Sequence, residues 1–79
     1  MREIKMPQWG MDITEGTVTE WLKKAGDTVE KDEALCEIEE AKASDTLNSP
    51  VRGTVAEICV EAGNSAPVFT TICTINESA

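Results

Sequence analysis

Histidine and tyrosine are absent from this 79-residue chain. Their absence removes the usual general base near neutral pH, the commonest nitrogen ligand for metals and the phenolic acid. Positive charge is scarce: seven Lys and Arg stand against fifteen Asp and Glu, for a formal net charge of -8. Binding to a phosphate backbone needs clustered cations, so nucleic acid is excluded as an expected partner. The longest unbroken apolar run is three residues, as in Ile58-Cys59-Val60, far short of the ~20 that cross a bilayer. No hydrophobic segment of a signal peptide is present either, and the expectation is a soluble chain without a membrane partner. The three cysteines, Cys36, Cys59 and Cys73, are odd in number and lack a CxxC spacing. Neither a disulfide framework nor a zinc site is indicated, and a reducing compartment fits best. Each lies in an apolar stretch, so all three are expected to be small buried hydrophobes.

A chain this short makes one small domain at most. Its core must offset the cost of ordering the backbone with few side chains, so most apolar positions must be structural. Independent catalysis is not expected of it.

What is present is an internal repeat. At an offset of 37, Gly16 falls on Gly53, Thr17 on Thr54, Val18 on Val55, Glu20 on Glu57, Ala25 on Ala62, Gly26 on Gly63 and Cys36 on Cys73. Leu35 with Ile72 and Ile38 with Ile75 extend the match. Two copies are too few for a solenoid, but two halves can cover each other. Each half reads as Gly-Thr-Val, a strand, then Ala-Gly, then a second apolar strand rich in β-branched residues. The fold class that follows is all-β: two small antiparallel sheets packed face to face.

Strands are predicted at Glu3 to Met6, Thr17 to Lys23, Ala34 to Glu39, Ser44 to Asn48, Thr54 to Val60 and Val68 to Ile75. The second copy alternates at Thr54, Ala56, Ile58 and Val60. In the first copy Val18 and Trp21 have opposite parity, which a bulge explains. Gly26-Asp27 and Gly63-Asn64 read as turns, and Ser49-Pro50 with Arg52-Gly53 as a loop entering the second half. Trp21 is expected in the core, Trp9 at the core edge, and Met6 and Met11 as gap-filling packing.

Between the copies the chain must reverse within Glu40-Ala41-Lys42-Ala43, which places Lys42 near a hairpin tip. With neither Gly nor Pro in the segment, a type I turn is the expected geometry. Of the five lysines only Lys42 has small alanines, Ala41 and Ala43, on both sides. Glu39, Glu40 and Asp45 surround it as an acidic rim, read either as steering for a basic partner or as ordinary solubilising charge.

The string MPQWGMDITEGTVTEWLKKAGDTV, followed by LCEIEEAKASDTLNSPVRGTV, resembles the lipoyl domains of 2-oxo acid dehydrogenase complexes, of the dihydrolipoamide acyltransferase type. The resemblance runs from Met6 to Ile75. It rests on Met-Pro with Gly10 and Met11, Glu15-Gly16-Thr17, Trp21-Leu22, Gly26-Asp27 with Val29, the lysine with its following alanine, and Ser49-Pro50 before Gly53. Two positions depart from the family pattern. Ala41 replaces the aspartate before the lysine, which bears on recognition by the lipoylating enzyme and the dehydrogenase. Asp32 stands where a turn glycine is expected, which bears on loop geometry.

The resemblance implies a flattened barrel-sandwich or hammerhead fold with a pseudo-two-fold axis. It implies a carrier domain over residues 1 to 76, with 77 to 79 a tail or the start of a linker. It also implies covalent lipoic acid on Lys42, flanked by Ala41 and Ala43 at the attachment turn. The group would act as a swinging arm with a reach on the order of 14 Å. It would carry acyl groups and electrons between the active sites of a 2-oxo acid or acetoin dehydrogenase complex. The implied partners are a lipoate ligase or lipoyl transferase, a thiamin-dependent dehydrogenase, an acyltransferase core and a flavin-dependent dihydrolipoamide dehydrogenase. The domain itself is expected to be monomeric and non-catalytic, in bacterial cytoplasm or the mitochondrial matrix. Two alternatives stay open: a biotin carrier domain of a carboxylase, whose lysine is flanked by methionines, and an unmodified hammerhead scaffold.

Overall fold

A computed structural model describes residues 1–41 and 43–77. Eight strands run β1 Arg2–Lys5, β2 Glu15–Trp21, β3 Thr28–Val29, β4 Ala34–Glu40, β5 Ala43–Asn48, β6 Gly53–Ile58, β7 Ser65–Pro67 and β8 Thr71–Asn76, and the described residues include no helix. They form two four-stranded sheets, ordered β1-β8-β6-β3 and β5-β4-β2-β7. Every pairing is antiparallel. Neither sheet closes on itself among the described residues, and the two antiparallel sheets are those expected of the flattened barrel-sandwich. The two strand orders are one pattern written twice, with β1, β8, β6 and β3 answering to β5, β4, β2 and β7.

The repeat explains the core. Val18 with Val55, Val29 with Ala66, Leu35 with Ile72, Cys36 with Cys73 and Ile38 with Ile75 are all buried, and all belong to one cluster. Each sheet offers one apolar face, and face-to-face burial removes both from water at ~25 cal/mol per Å² of apolar surface. Met6 fills the interior with no exposure, as expected, whereas Met11 is 98% exposed and packs nothing.

The predicted bulge is present, and it is present twice. Pairing slips between Val18 and Glu20 against β4, and between Val55 and Glu57 against β8. Thr19 and Ala56 are the extra residues, and each slip returns the following aromatic or aliphatic side chain toward the interior. Trp21 and Ile58 are accordingly half-buried against the core. The alternation read through Thr54, Ala56, Ile58 and Val60 is therefore wrong: Val55 is buried and Ala56 exposed. Trp21 is less enclosed than expected because its indole Nε1 reaches out to donate to the Val60 carbonyl at 2.8 Å.

Two short strands went unread. β3 and β7 have two and three residues, too few for a periodic signal. Both are edge strands, where Pro67 has no ladder bond to lose. The turns follow the repeat as well. Gly26 and Gly63 have φ of +96° and +92°, and Asp32 and its repeat mate Phe69 have φ of 69° and 70°. Asp32 thus holds the left-handed conformation of the turn glycine it replaces, which Asp tolerates better than most residues.

The cysteine expectation holds for two of three. Cys36 and Cys73 are buried, and burial pushes both thiols up to about 12. Cys59 is exposed, because it follows the end of β6. Slight burial and then the Glu57 and Glu3 carboxylates hold its thiol above the ordinary range. In the native protein at about pH 8.5, a maleimide is expected to label Cys59 alone, with Cys36 and Cys73 reacting only after unfolding. Mass spectrometry of labelled peptides checks it, and rapid native labelling of either buried thiol contradicts the packing.

Gly53 has a different constraint from Gly63. A Cβ on Gly53 would overlap the Asn76 carbonyl oxygen and lie 2.8 Å from Ile75 Cγ2, whereas one on Gly63 would meet nothing within 4 Å. Gly53→Ala is expected to cost about 2 to 4 kcal/mol by overpacking, against about 1 kcal/mol for Gly63→Ala from its positive φ. Urea unfolding midpoints of the two variants test the order.

Candidate functional site

The β4–β5 hairpin is registered by Ile38 opposite Asp45, Glu39 opposite Ser44 and Glu40 opposite Ala43. The connection from Glu40 to Ala43 is therefore two residues long, positions 41 and 42. The expected site residue Lys42 lies outside the described residues, as does the turn geometry assigned to it. Its neighbours Ala41 and Ala43 are described, and both are exposed. Two small exposed side chains at the end of a paired ladder leave room for a bulky group on the residue between them.

The segment between β1 and β2 borders this tip. Its entry is fixed by backbone bonds from Met6 N to Thr70 O and from Phe69 N to Met6 O, each 2.8 Å. Gln8 Nε2 donates to the Ile13 carbonyl at 2.9 Å, and Ile13 N donates to the Gly10 carbonyl at 3.0 Å. The segment is also tied to the hairpin where the Trp9 backbone N–H donates to Glu40 Oε1 at 3.2 Å.

Glu40 is the residue that sequence reading misplaced. It is 5% exposed, so the acidic rim consists of Glu39 and Asp45, and Glu40 points inward. The parity was there to find: Cys36, Ile38 and Glu40 alternate along β4, and all three are buried. Gly16 makes room for it, since a Cβ there would lie 2.8 Å from Met6 Sδ and 3.2 Å from Glu40 Cγ and Oε2. Oε2 has no hydrogen-bond partner among the described residues.

Trp9 stands at the surface beside the tip, 39% exposed, rather than tucked into the core edge. Two hollows flank the hairpin. One, of about 430 Å³, lies between residues 12–17 and Glu39, Glu40 and Ala41. The other, of about 240 Å³, is lined by Trp9, Gly10, Asp12, Ile13 and Ala43. No grouping of His, Cys, Asp and Glu suited to a metal ion occurs among the described residues. What the geometry offers is presentation of one position on a braced hairpin.

That arrangement has relatives. The family model described as "Biotin-requiring enzyme", which covers biotinyl and lipoyl attachment domains, matches residues 2–75. The chain belongs to this biotinyl/lipoyl family. As a lipoyl-type domain it superposes on the lipoyl domain of the 2-oxoglutarate dehydrogenase complex from Azotobacter vinelandii with a TM-score of 0.83. The two are 29% identical over the full length of both chains. It is 41% identical over 96% of its length to the dihydrolipoyllysine-residue acetyltransferase component of the pyruvate dehydrogenase complex of Corynebacterium glutamicum. It is 37% identical over 100% of its length to the succinyltransferase component of the 2-oxoglutarate dehydrogenase complex of Staphylococcus saprophyticus. The chain spans only 11% and 19% of those two relatives. The matching region is their lipoyl domain, a carrier part that is not itself catalytic.

Glu40→Ala is expected to destabilise the domain by about 1 to 3 kcal/mol, because it leaves the Trp9 N–H without its acceptor and opens a cavity beside Gly16. Glu40→Gln retains an amide oxygen for that bond and is expected to lose less. Urea unfolding ranks the variants, and the Trp9 amide resonance should move in Glu40→Ala.

Proposed function

We propose that this domain carries lipoic acid in amide linkage to Lys42 and presents it in turn to the active sites of a 2-oxo acid dehydrogenase complex. The observation that carries the reading is the two-residue connection between paired Glu40 and Ala43, with small exposed alanines on either side of position 42. When bound, a lipoyl group supplies a dithiolane able to take up an acyl group and a pair of electrons. The relatives named as dihydrolipoyllysine-residue acyltransferase components support lipoyl over biotin as the group attached.

The chain's own residues do mechanical and electrostatic work. The β4–β5 ladder pairs the residues on either side of the connection, and the Glu40 to Trp9 bond ties β4 to the β1–β2 segment. Tethering raises the arm's local concentration at each station to the millimolar range, so each visit becomes effectively intramolecular. Exposed Glu39 and Asp45 favour approach of a basic surface, an effect that weakens with salt. The partners that fit are a lipoylating enzyme, a thiamin-dependent dehydrogenase, an acyltransferase core and a flavin-dependent dihydrolipoamide dehydrogenase. Ala41 removes one carboxylate from the face these partners meet, and Glu39 and Asp45 remain.

Coexpression with a lipoate ligase is expected to raise the intact mass by one lipoyl group, with none gained by Lys42→Ala. The modified form carries one positive charge fewer, moving the formal net from -8 to -9, and should elute later on anion exchange. A biotin ligase should leave the protein unbound by avidin. Avidin capture together with no lipoyl gain would replace the lipoyl reading with a biotin one.

A further inference from the structure

The smaller hollow beside the tip has no part in attachment as such. Of its walls, Ile13 is buried and fixed while Trp9 presents an indole that is 39% exposed. The hollow is built from braced parts. Gln8 Nε2 holds the Ile13 carbonyl, Ile13 N closes a turn onto Gly10, and Glu40 Oε1 anchors the Trp9 backbone. Gly10 contributes closeness, since a Cβ there would lie 3.2 Å from Ile13 Cγ1. Its volume, about 240 Å³, falls below the ~300 to 1,000 Å³ of pockets for drug-sized ligands. It suits one small ring on a short alkyl stem.

The wall also contains Ala43, which is bonded directly to residue 42. A group on Lys42 therefore starts one residue from the hollow, well within an arm reach on the order of 14 Å. Amide formation leaves that arm uncharged, so an apolar seat costs it no ionic hydration. Sulfur meets aromatic rings favourably, often near the ring edge. We propose that the hollow formed by Trp9, Gly10, Asp12, Ile13 and Ala43, apolar except for the Asp12 side of its wall, is a resting seat for the dithiolane end of the lipoyl group carried on Lys42 of the same chain. This inference rests on the lipoyl reading above.

Tethering makes a weak seat sufficient. At an effective concentration in the millimolar range, a site with only millimolar intrinsic affinity is about half filled. The seated ring is shielded from solvent thiols, and a partner's active site has to compete with Trp9 for it. The domain thereby sets the fraction of time the arm is free.

The test uses the whole chain with lipoylation verified by intact mass. Trp9 and Trp21 give two indole N–H resonances, and Trp21 lines neither hollow at the tip, so it is an internal reference. Lipoylation is expected to shift the Trp9 indole and Ile13 methyl signals and leave Trp21 unmoved, with nuclear Overhauser contacts from the dithiolane to the Trp9 ring. With the group in its oxidised, cyclic form, the dithiolane of Trp9→Ala is expected to be reduced by a soluble phosphine about twofold faster than that of the unsubstituted protein, as half occupancy requires. Full lipoylation with no Trp9 shift and no contact overturns the seat and leaves the carrier reading intact. Absence of the lipoyl mass overturns both. The spectra of the unsubstituted protein decide the matter even if Trp9→Ala folds poorly.

Discussion

Each sheet of this domain takes strands from both halves and has one apolar face, which the matching face of the other sheet covers. Val18 and Val55, Leu35 and Ile72, Cys36 and Cys73 fill the interior from the two halves. Mutual cover therefore fixes the sheet order, the paired bulges and the four left-handed turn residues together. A slip in one half would turn its apolar row toward solvent and strip the other half of its lid.

Symmetry of that kind leaves function to the places where the halves differ. The link from β1 to β2 runs over residues 6–14, whereas its counterpart from β5 to β6 runs over residues 49–52. The added residues include Trp9, Gly10 and Ile13, which share a hollow with Ala43 of the β4–β5 hairpin. The shorter link instead folds on itself, with buried Ser49 donating through Oγ to the Val51 carbonyl at 2.6 Å. The hairpin is also unique, because β4 is followed by β5 whereas its counterpart β8 pairs with the first strand. Both asymmetries fall at one place, around position 42.

Much of this was legible before the fold was known. The 37-residue offset announced two equivalent halves, whereas Lys42 was singled out by the resemblance to lipoyl domains, since the turn pattern alone reads as an ordinary solvated lysine. The mismatch in parity between Val18 and Trp21 announced a bulge. What stayed hidden had physical reasons. β3 and β7 are too short to carry a period, and an undetected bulge made Ala56 look inward. Glu40 was read as rim because the strand was ended at Glu39 and the reversal begun at Glu40, whereas β4 runs through Glu40 and alternation from Cys36 and Ile38 puts its side chain inside. Met11 and Trp9 were assigned to packing because apolar residues in a small domain are usually needed there. Both lie in the long β1–β2 link, and their exposure is a property of that link's path.

The departures from good local design cluster in the same way. A buried carboxylate with one oxygen lacking a partner among the described residues is costly, and a half-exposed indole gives up burial that a small core would use. Glu40 and Trp9 are joined by one hydrogen bond at the tip. Elsewhere the chain is consistent: the apolar repeat mates of the core are buried, and Asp32 adopts the turn conformation required of it. Local inconsistencies of this sort are expected where a structure serves a task other than its own stability. A chain with no histidine has little chemistry of its own to protect, so the task that fits the strain is geometric. The bond between Glu40 and Trp9 ties the β1–β2 segment to the end of β4, next to the connection between the two halves.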